Sequence, residues 1–153
     1  MHPIAPRARA ARLACALALA LVWVSGAHAQ EKDWGKARVA GFERASTSLK
    51  AMHRLHLPQG ELGKLAGAAR DIRNWAGQIP SHFPRGSDAA DDRARAEIWE
   101  DFERFERLAV AMGQRADAVA TAAERGDKAA VAVALKALGE SCSACHRRFR
   151  VKK

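Results

Sequence analysis

Two cysteines and a histidine near the end of the chain are the residues best suited to chemistry. Cys142 and Cys145 are separated by two residues, and His146 follows directly in the stretch ESCSACHRRFR (140–150). Three kinds of site use such a group: a thiol–disulfide redox centre, part of a zinc site, or a covalent attachment site for haem.

The redox and zinc alternatives fit the surrounding sequence poorly. A redox Cys-x-x-Cys pair opens a helix after a buried strand, where the helix N-terminus lowers the thiol pKa. No strand pattern precedes Cys142, and the pair lies near the end of a predicted helix. A structural zinc site needs four ligands, yet there is no second Cys-x-x-Cys pair, and His53 and His56 fall in another predicted helix.

The haem alternative explains the spacing. Cys-x-x-Cys-His is the attachment motif of c-type haem. Each thiol adds to one vinyl group of the porphyrin, and residues three apart on a helix lie on one face. The next residue then supplies an axial nitrogen to the iron. The motif predicts one covalent haem c, attached through Cys142 and Cys145 and ligated by His146.

The first thirty residues have the pattern of a secretory signal peptide. Three arginines precede an apolar run at 13–24, and an Ala-His-Ala cleavage pattern ends at Ala29. The run is shorter than the roughly 20 residues of a membrane span. We therefore predict a cleaved signal over residues 1–29, export to the periplasm, and a mature domain over 30–153 with no membrane span. Export agrees with haem attachment, which is made outside the cytoplasm.

The charge balance is strongly basic. The chain has 26 Lys and Arg residues against 17 Asp and Glu, a formal net charge of +9. Three of these basic residues belong to the predicted signal, so the mature chain stays basic. Such a surface favours acidic partners, and export argues against nucleic acid. We therefore predict an acidic redox partner protein.

The elements that must position the site have the pattern of helices. Apolar residues recur at spacings of three and four, and strict alternation is absent. Breaks fall at Pro58–Gly60, across residues 80–92 and at 124–128, where Asp127 is the predicted N-cap of the last helix. They delimit helices at about 32–57, 60–79, 90–124 and 127–150. Two short connections and one long one predict an all-α, antiparallel up-down-up-down four-helix bundle. Because the cysteine pair lies on the core stripe of the last helix, the bundle would enclose the covalent haem.

Three stretches carry a resemblance to a known family. GESCSACHRRFR (139–150) looks like a haem signature, EIWEDFERF (97–105) like the opening of a third helix, and KARVAGF (36–42) like a first-helix segment. Together they resemble the cytochrome c′ family of exported four-helix-bundle haem proteins. The likeness runs from about residue 33 to the end.

The resemblance implies a role for each matched residue. Cys142 and Cys145 would be the thioether anchors, and His146 would be the proximal iron ligand. Arg38 would lie near a haem propionate, and Trp99 would lie near the haem edge. Arg150 would lie on the proximal side of the haem. It also implies a homodimer through the first two helices.

Phe42 decides between two branches of the family. Low-spin electron-transfer members carry a methionine ligand four residues after the first-helix arginine, and here that position is Phe42. Phenylalanine has no donor atom, so the resemblance implies five-coordinate iron with Phe42 over its distal face. Met52 lies ten residues further on, about 15 Å along a helix, and is a poor substitute.

An open coordination position favours binding of a diatomic gas, nitric oxide above all, alone or together with carriage of single electrons. The protein is then not an enzyme. Two alternatives remain: a low-spin, six-coordinate electron-transfer cytochrome of the same family, and a haem enzyme with weak peroxidase-type activity. The second normally needs a polar acid–base group near the iron, which Phe42 does not provide.

Overall fold

A computed structural model describes residues 33–54, 61–88 and 92–152. The predicted signal peptide, residues 1–29, lies outside the described residues. Within those ranges the chain forms helices α1 (Trp34–Arg54), α2 (Leu62–Gln78), α3 (Glu97–Glu100), α4 (Phe102–Glu124) and α5 (Lys128–Phe149). The predicted all-α class is confirmed. No helix in this described part is both long enough and apolar enough to cross a bilayer.

Local capping sets two of the helix starts. At the start of α1, the backbone N–H of Lys36 donates to Asp33 Oδ1 at 2.9 Å. Between α4 and α5, Gly126 takes the left-handed conformation with φ +73°, which glycine adopts without steric cost. Asp127 then accepts a hydrogen bond from the Ala130 N–H at 2.9 Å. The predicted N-cap of the last helix is confirmed.

The four long helices pack in sequence around one core. α1 packs against α2, α2 against α4 and α4 against α5, whereas α1 and α5 do not pack closely against each other in the described residues. The apolar stripes of all four helices meet in a single buried cluster. The antiparallel four-helix bundle is therefore as predicted, and we refer to the loosely packed seam between α1 and α5 as the cleft.

The third predicted helix, 90–124, is wrong at its start. The helix begins only at Glu97 and is interrupted at Asp101, whose φ of −126° and ψ of 53° are not helical. The segment before Glu97 is not helical but pairs with the end of α5, because Ala94 forms an isolated antiparallel bridge with Arg150. These backbone groups are thus satisfied by the end of α5 rather than by a helix of their own.

Candidate haem site

The cysteine pair lies on the inner side of α5. Cys142 and Cys145 are partly buried and pack against the apolar core, and both are free thiols. Burial raises the pKa of Cys142, and it raises the pKa of Cys145 to about 11, with a smaller contribution from the charge of Cys142. Thiol–disulfide exchange needs a thiolate, so these neutral thiols argue against the redox alternative.

The surroundings of His146 favour a neutral imidazole. The residue as a whole is exposed, yet burial of part of its side chain lowers the pKa of the imidazole, and the positive charges of Arg150 and Arg93 lower it further. A neutral imidazole keeps the lone pair that a metal ligand needs. Electrostatics therefore favour His146 as an axial ligand.

The zinc alternative gains no support from the fold. The described ranges contain no cluster of three or more His, Cys, Asp or Glu side chains that could hold a metal ion. His53 is exposed on α1, and His56 lies outside the described residues. A haem anchored at the cysteine pair and ligated by His146 needs no such cluster.

Phe42 faces His146 across the cleft between α1 and α5. Their ring centroids lie 6.4 Å apart, with an interplanar angle of 68°. Ala45 and Leu49 continue the same side of α1, and all three α1 residues are partly buried against the core. The cleft is therefore apolar on the α1 side and carries the cysteine pair on the α5 side.

The residues of the cleft fit a haem. A flat ring system between two side chains needs about 3.5 Å on each side for van der Waals contact. A metal–imidazole nitrogen bond of about 2 Å brings one of the two closer. With roughly 1 Å more from the bonding nitrogen to the imidazole centroid, these lengths add to about 6.5 Å. The 6.4 Å between the ring centroids of Phe42 and His146 would thus suit a haem held by the imidazole on one face and touched by the phenyl ring on the other.

Trp75 of α2 packs against Phe42 and is a buried neighbour of the site that sequence reasoning missed. Their rings meet edge to face with centroids 5.3 Å apart. Trp75 is 6% exposed, and its Nε1 has no hydrogen-bond partner among the described residues. Spacing was the available signal, since residue 75 lies three positions after Ile72 and four before Ile79, on the apolar stripe of α2.

Arg38 is buried, and protein groups surround its guanidinium. Its Nε donates to the His82 carbonyl at 2.7 Å, and its Nη1 donates to the Ser87 carbonyl at 3.0 Å and to Asp92 Oδ2 at 2.8 Å. Its Nη2 donates to the Ser87 hydroxyl. Asp92 is thus the anion that the structure pairs with Arg38, and the haem-propionate role stays a prediction.

Trp99 belongs to the same buried group. Its indole N–H donates to the Pro84 carbonyl at 2.9 Å. The Arg38 guanidinium lies 4.2 Å from the ring centroid of Phe83 and 5.3 Å from that of Trp99, which are cation–π distances. The placement of Trp99 at the haem edge also stays a prediction.

Arg150 follows the last turn of α5. Its backbone N–H donates to the His146 carbonyl at 3.2 Å, and its charge acts on the His146 imidazole. Arg150 is therefore near His146, and its role towards the haem stays a prediction.

Comparison with known proteins agrees with this geometry. The family model described as Cytochrome C' matches residues 33–150. Cytochrome c' of Rhodospirillum rubrum is 41% identical over 86 residues, and the match covers 56% of this chain and 58% of that protein. Cytochrome c-556 of Agrobacterium tumefaciens strain B2A is 44% identical over 86 residues, covering 56% of this chain and 69% of that protein. The chain thus aligns with less than two thirds of the R. rubrum relative.

Solved structures share the fold. Cytochrome c' from Thermochromatium tepidum superposes with a TM-score of 0.68 at 26% identity, covering 78% of this chain and 95% of that chain. Cytochrome c prime from Shewanella frigidimarina has a TM-score of 0.71 at 23% identity, and the match covers 80% of this chain and 98% of that chain. With the haem motif, the facing helices and a family match over residues 33–150, the chain belongs to the cytochrome c′ family, whose members carry one covalently attached haem c.

Proposed function

We propose that this protein is an exported, periplasmic cytochrome whose five-coordinate haem binds nitric oxide and exchanges single electrons with an acidic redox partner. Bound haem supplies one-electron redox chemistry and an iron position for a diatomic ligand. Cys142 and Cys145 would hold it, and His146 would ligate its iron. The secretory pattern of residues 1–29 and the basic composition support export and the charge of the partner.

The observation that carries the proposal is the position of Phe42, 6.4 Å from His146 and with no donor atom. The side chain offers no sixth ligand and occupies the space that an incoming ligand needs. The Trp75 ring packs against it with the two ring centroids 5.3 Å apart, and packed interiors resist displacement. Carbon monoxide should therefore bind slowly and weakly, whereas nitric oxide, which bonds ferrous iron more strongly, should still bind.

Relatives of the same fold support ligand binding. Structures of cytochrome c prime from Alcaligenes xylosoxidans, 22% identical to this chain, include nitric oxide complexes of variants and a carbon monoxide complex of another variant. A further solved cytochrome c', also 22% identical, shows ligand-controlled dimer dissociation. A homodimer through α1 and α2 is part of our proposal, and the exposed Val39 of α1 is an apolar residue available to it.

Two alternatives fit the site less well. A low-spin, six-coordinate iron needs another donor, yet the side chains of Met52 and Met112 are buried in the bundle core. A peroxidase-type enzyme needs a polar distal group, and the cleft side of α1 presents Phe42, Ala45 and Leu49 instead. Both considerations favour a gas-binding cytochrome that is not an enzyme.

Absorption spectra of the wild-type holoprotein and two Phe42 variants test the proposal. The ferric wild type should be high-spin and five-coordinate at neutral pH. Phe42→Met should place a thioether at the same helical position and give six-coordinate, low-spin iron. Phe42→Leu is the matched control, because it changes the shape without adding a donor, and it should stay five-coordinate. Sharp, split bands of low-spin ferrous haem in the wild type would show a different sixth ligand and leave simple electron transfer as the function.

A further inference from the structure

A basic hollow lies where the start of α4 meets the last turns of α5. It encloses about 470 Å³, and its rim carries four arginines with a single glutamate, Glu97, among its lining residues. The arginines are Arg95, Arg104, Arg147 and Arg148. We refer to this group as the arginine hollow.

Two of the four cations are not neutralised. Arg95 pairs with Glu97, and Arg148 Nη2 pairs with Asp101 Oδ2 at 3.0 Å. Arg104 and Arg147 are exposed and form no ion pair with any described residue. The hollow therefore keeps a net positive charge that an incoming anionic group can meet.

The composition of the hollow suits a protein surface. Guanidinium groups bind carboxylates in a two-pronged arrangement that lysine does not reproduce. Half-buried Leu108 and Ala144 add small apolar area beneath the charged rim. Protein interfaces combine enriched arginine with such partly apolar patches. Membrane-surface sites instead rely on large apolar or aromatic side chains beside the cations, and no aromatic residue lines the hollow.

The hollow also borders the haem-attachment motif. Ala144 is one of the two residues between the cysteines, and Arg147 directly follows His146. A molecule seated there would contact the turn of α5 that carries Cys145. Such a contact would give an electron a short route to or from the haem.

We propose that the arginine hollow docks an acidic surface patch of the redox partner, with Arg104 and Arg147 as the two charges that recognise it. This inference rests on the electron-exchange part of the proposed function and adds the surface used. In the exchange, one electron passes between the haem iron and the partner's own redox centre, and no bond or proton changes hands.

Binding of poly-L-aspartate to the holoprotein tests the surface directly. Calorimetric titration would compare the wild type with Arg104→Glu/Arg147→Glu and with the control Arg125→Glu/Lys128→Glu. The control makes the same change in net charge, and residues 104 and 125 are about 30 Å apart along α4. We expect about tenfold weaker binding for the hollow variant than for the control. Arg104→Glu alone, which leaves the sequence of the haem motif unchanged, should give part of that loss.

A second readout is the rate at which ferricyanide, an anionic oxidant, takes one electron from the reduced protein and becomes ferrocyanide. The hollow variant should be slowed more than the control at low ionic strength, and the difference should vanish in high salt. Equal losses in the two variants would overturn the proposal, because net charge alone would then explain binding. Tighter binding of the hollow to phosphatidylglycerol vesicles than to poly-L-aspartate would also overturn it, in favour of a membrane. None of these outcomes depends on spin state or nitric oxide binding, so they are separate from failure of the proposed function.

Discussion

The buried ion pair of Arg38 and Asp92 gives the sharpest prediction about stability. The Arg38 Nη1 and Asp92 Oδ2 atoms are 2.8 Å apart, and each side chain is only 2% exposed. Neutralising one partner leaves the other charge buried without compensation, which costs about 3–5 kcal/mol. Single substitutions here should therefore be among the most destabilising in the chain.

The hydrogen bonds that each substitution removes decide whether Arg38→Met or Asp92→Asn costs more stability. Arg38→Met removes all four hydrogen bonds of the guanidinium, to the His82 and Ser87 carbonyls, the Ser87 hydroxyl and Asp92. Buried acceptors that lose their donor cost about 1–3 kcal/mol each when no water replaces it. Asp92→Asn keeps the shape and an acceptor oxygen. We expect about 5 kcal/mol for Arg38→Met and about 3 kcal/mol for Asp92→Asn, a shift in melting temperature of roughly 10–25 °C for a domain of this size.

The assay is thermal unfolding of the holoprotein followed by far-ultraviolet circular dichroism. The double variant Arg38→Met/Asp92→Asn should cost about 2 kcal/mol less than the sum of the single variants, because no charge is left unpaired. The exposed pair of Arg73 and Asp117, 3.2 Å apart, is the control. Neutralising Asp117 should cost less than about 1 kcal/mol.

Function should respond as well, since Arg38 lies one helical turn before Phe42. Loss of the anchor should loosen that part of α1 and speed carbon monoxide binding. An Asp92→Asn variant that melts within a degree or two of the Asp117→Asn control would refute the reasoning. Such a result would mean that solvent reaches the Arg38 guanidinium.

Two further predictions concern the same cleft. Gly41→Ala should destabilise the protein by about 1–3 kcal/mol and speed carbon monoxide binding, because the added Cβ would overlap the Trp75 ring and α1 must shift with Phe42. Stopped-flow mixing and thermal melts measure both effects. Cys142→Ala with Cys145→Ala should abolish covalent haem, so that the intact mass equals that of the bare polypeptide.

Each of these two predictions has a control variant that should behave like the wild type. Gly67→Ala places its Cβ more than 4 Å from any neighbouring side chain among the described residues, and it should leave ligand kinetics unchanged while adding up to about 1 kcal/mol of helix stability. Ser143→Ala, between the cysteines, should retain covalent haem. Equal carbon monoxide kinetics for Gly41→Ala and Gly67→Ala would contradict the close packing of Trp75 against α1. A mass increment of one haem in the double cysteine variant would contradict the anchor assignment.

Several features follow from the sequence alone because they depend on neighbours along the chain. Residues three apart on a helix share a face, so the sequence alone predicts that Cys142 and Cys145 lie on one side of the last helix. The spacing of apolar residues likewise predicted four packed helices. The cap at Asp127 depends on the N–H of a residue three positions later, which is again a local rule.

Other features required the tertiary structure, because they join residues far apart in the chain. Asp92, at the boundary between the predicted loop and the predicted third helix, pairs with Arg38 54 residues away, and no local pattern signals that choice. The bridge between Ala94 and Arg150 likewise overrode the helical pattern before Glu97. The separation of Phe42 and His146 depends on how α1 and α5 are held apart by the helices between them. Helix packing, rather than local propensity, decides such distances, because each distance depends on many side-chain contacts around a shared core.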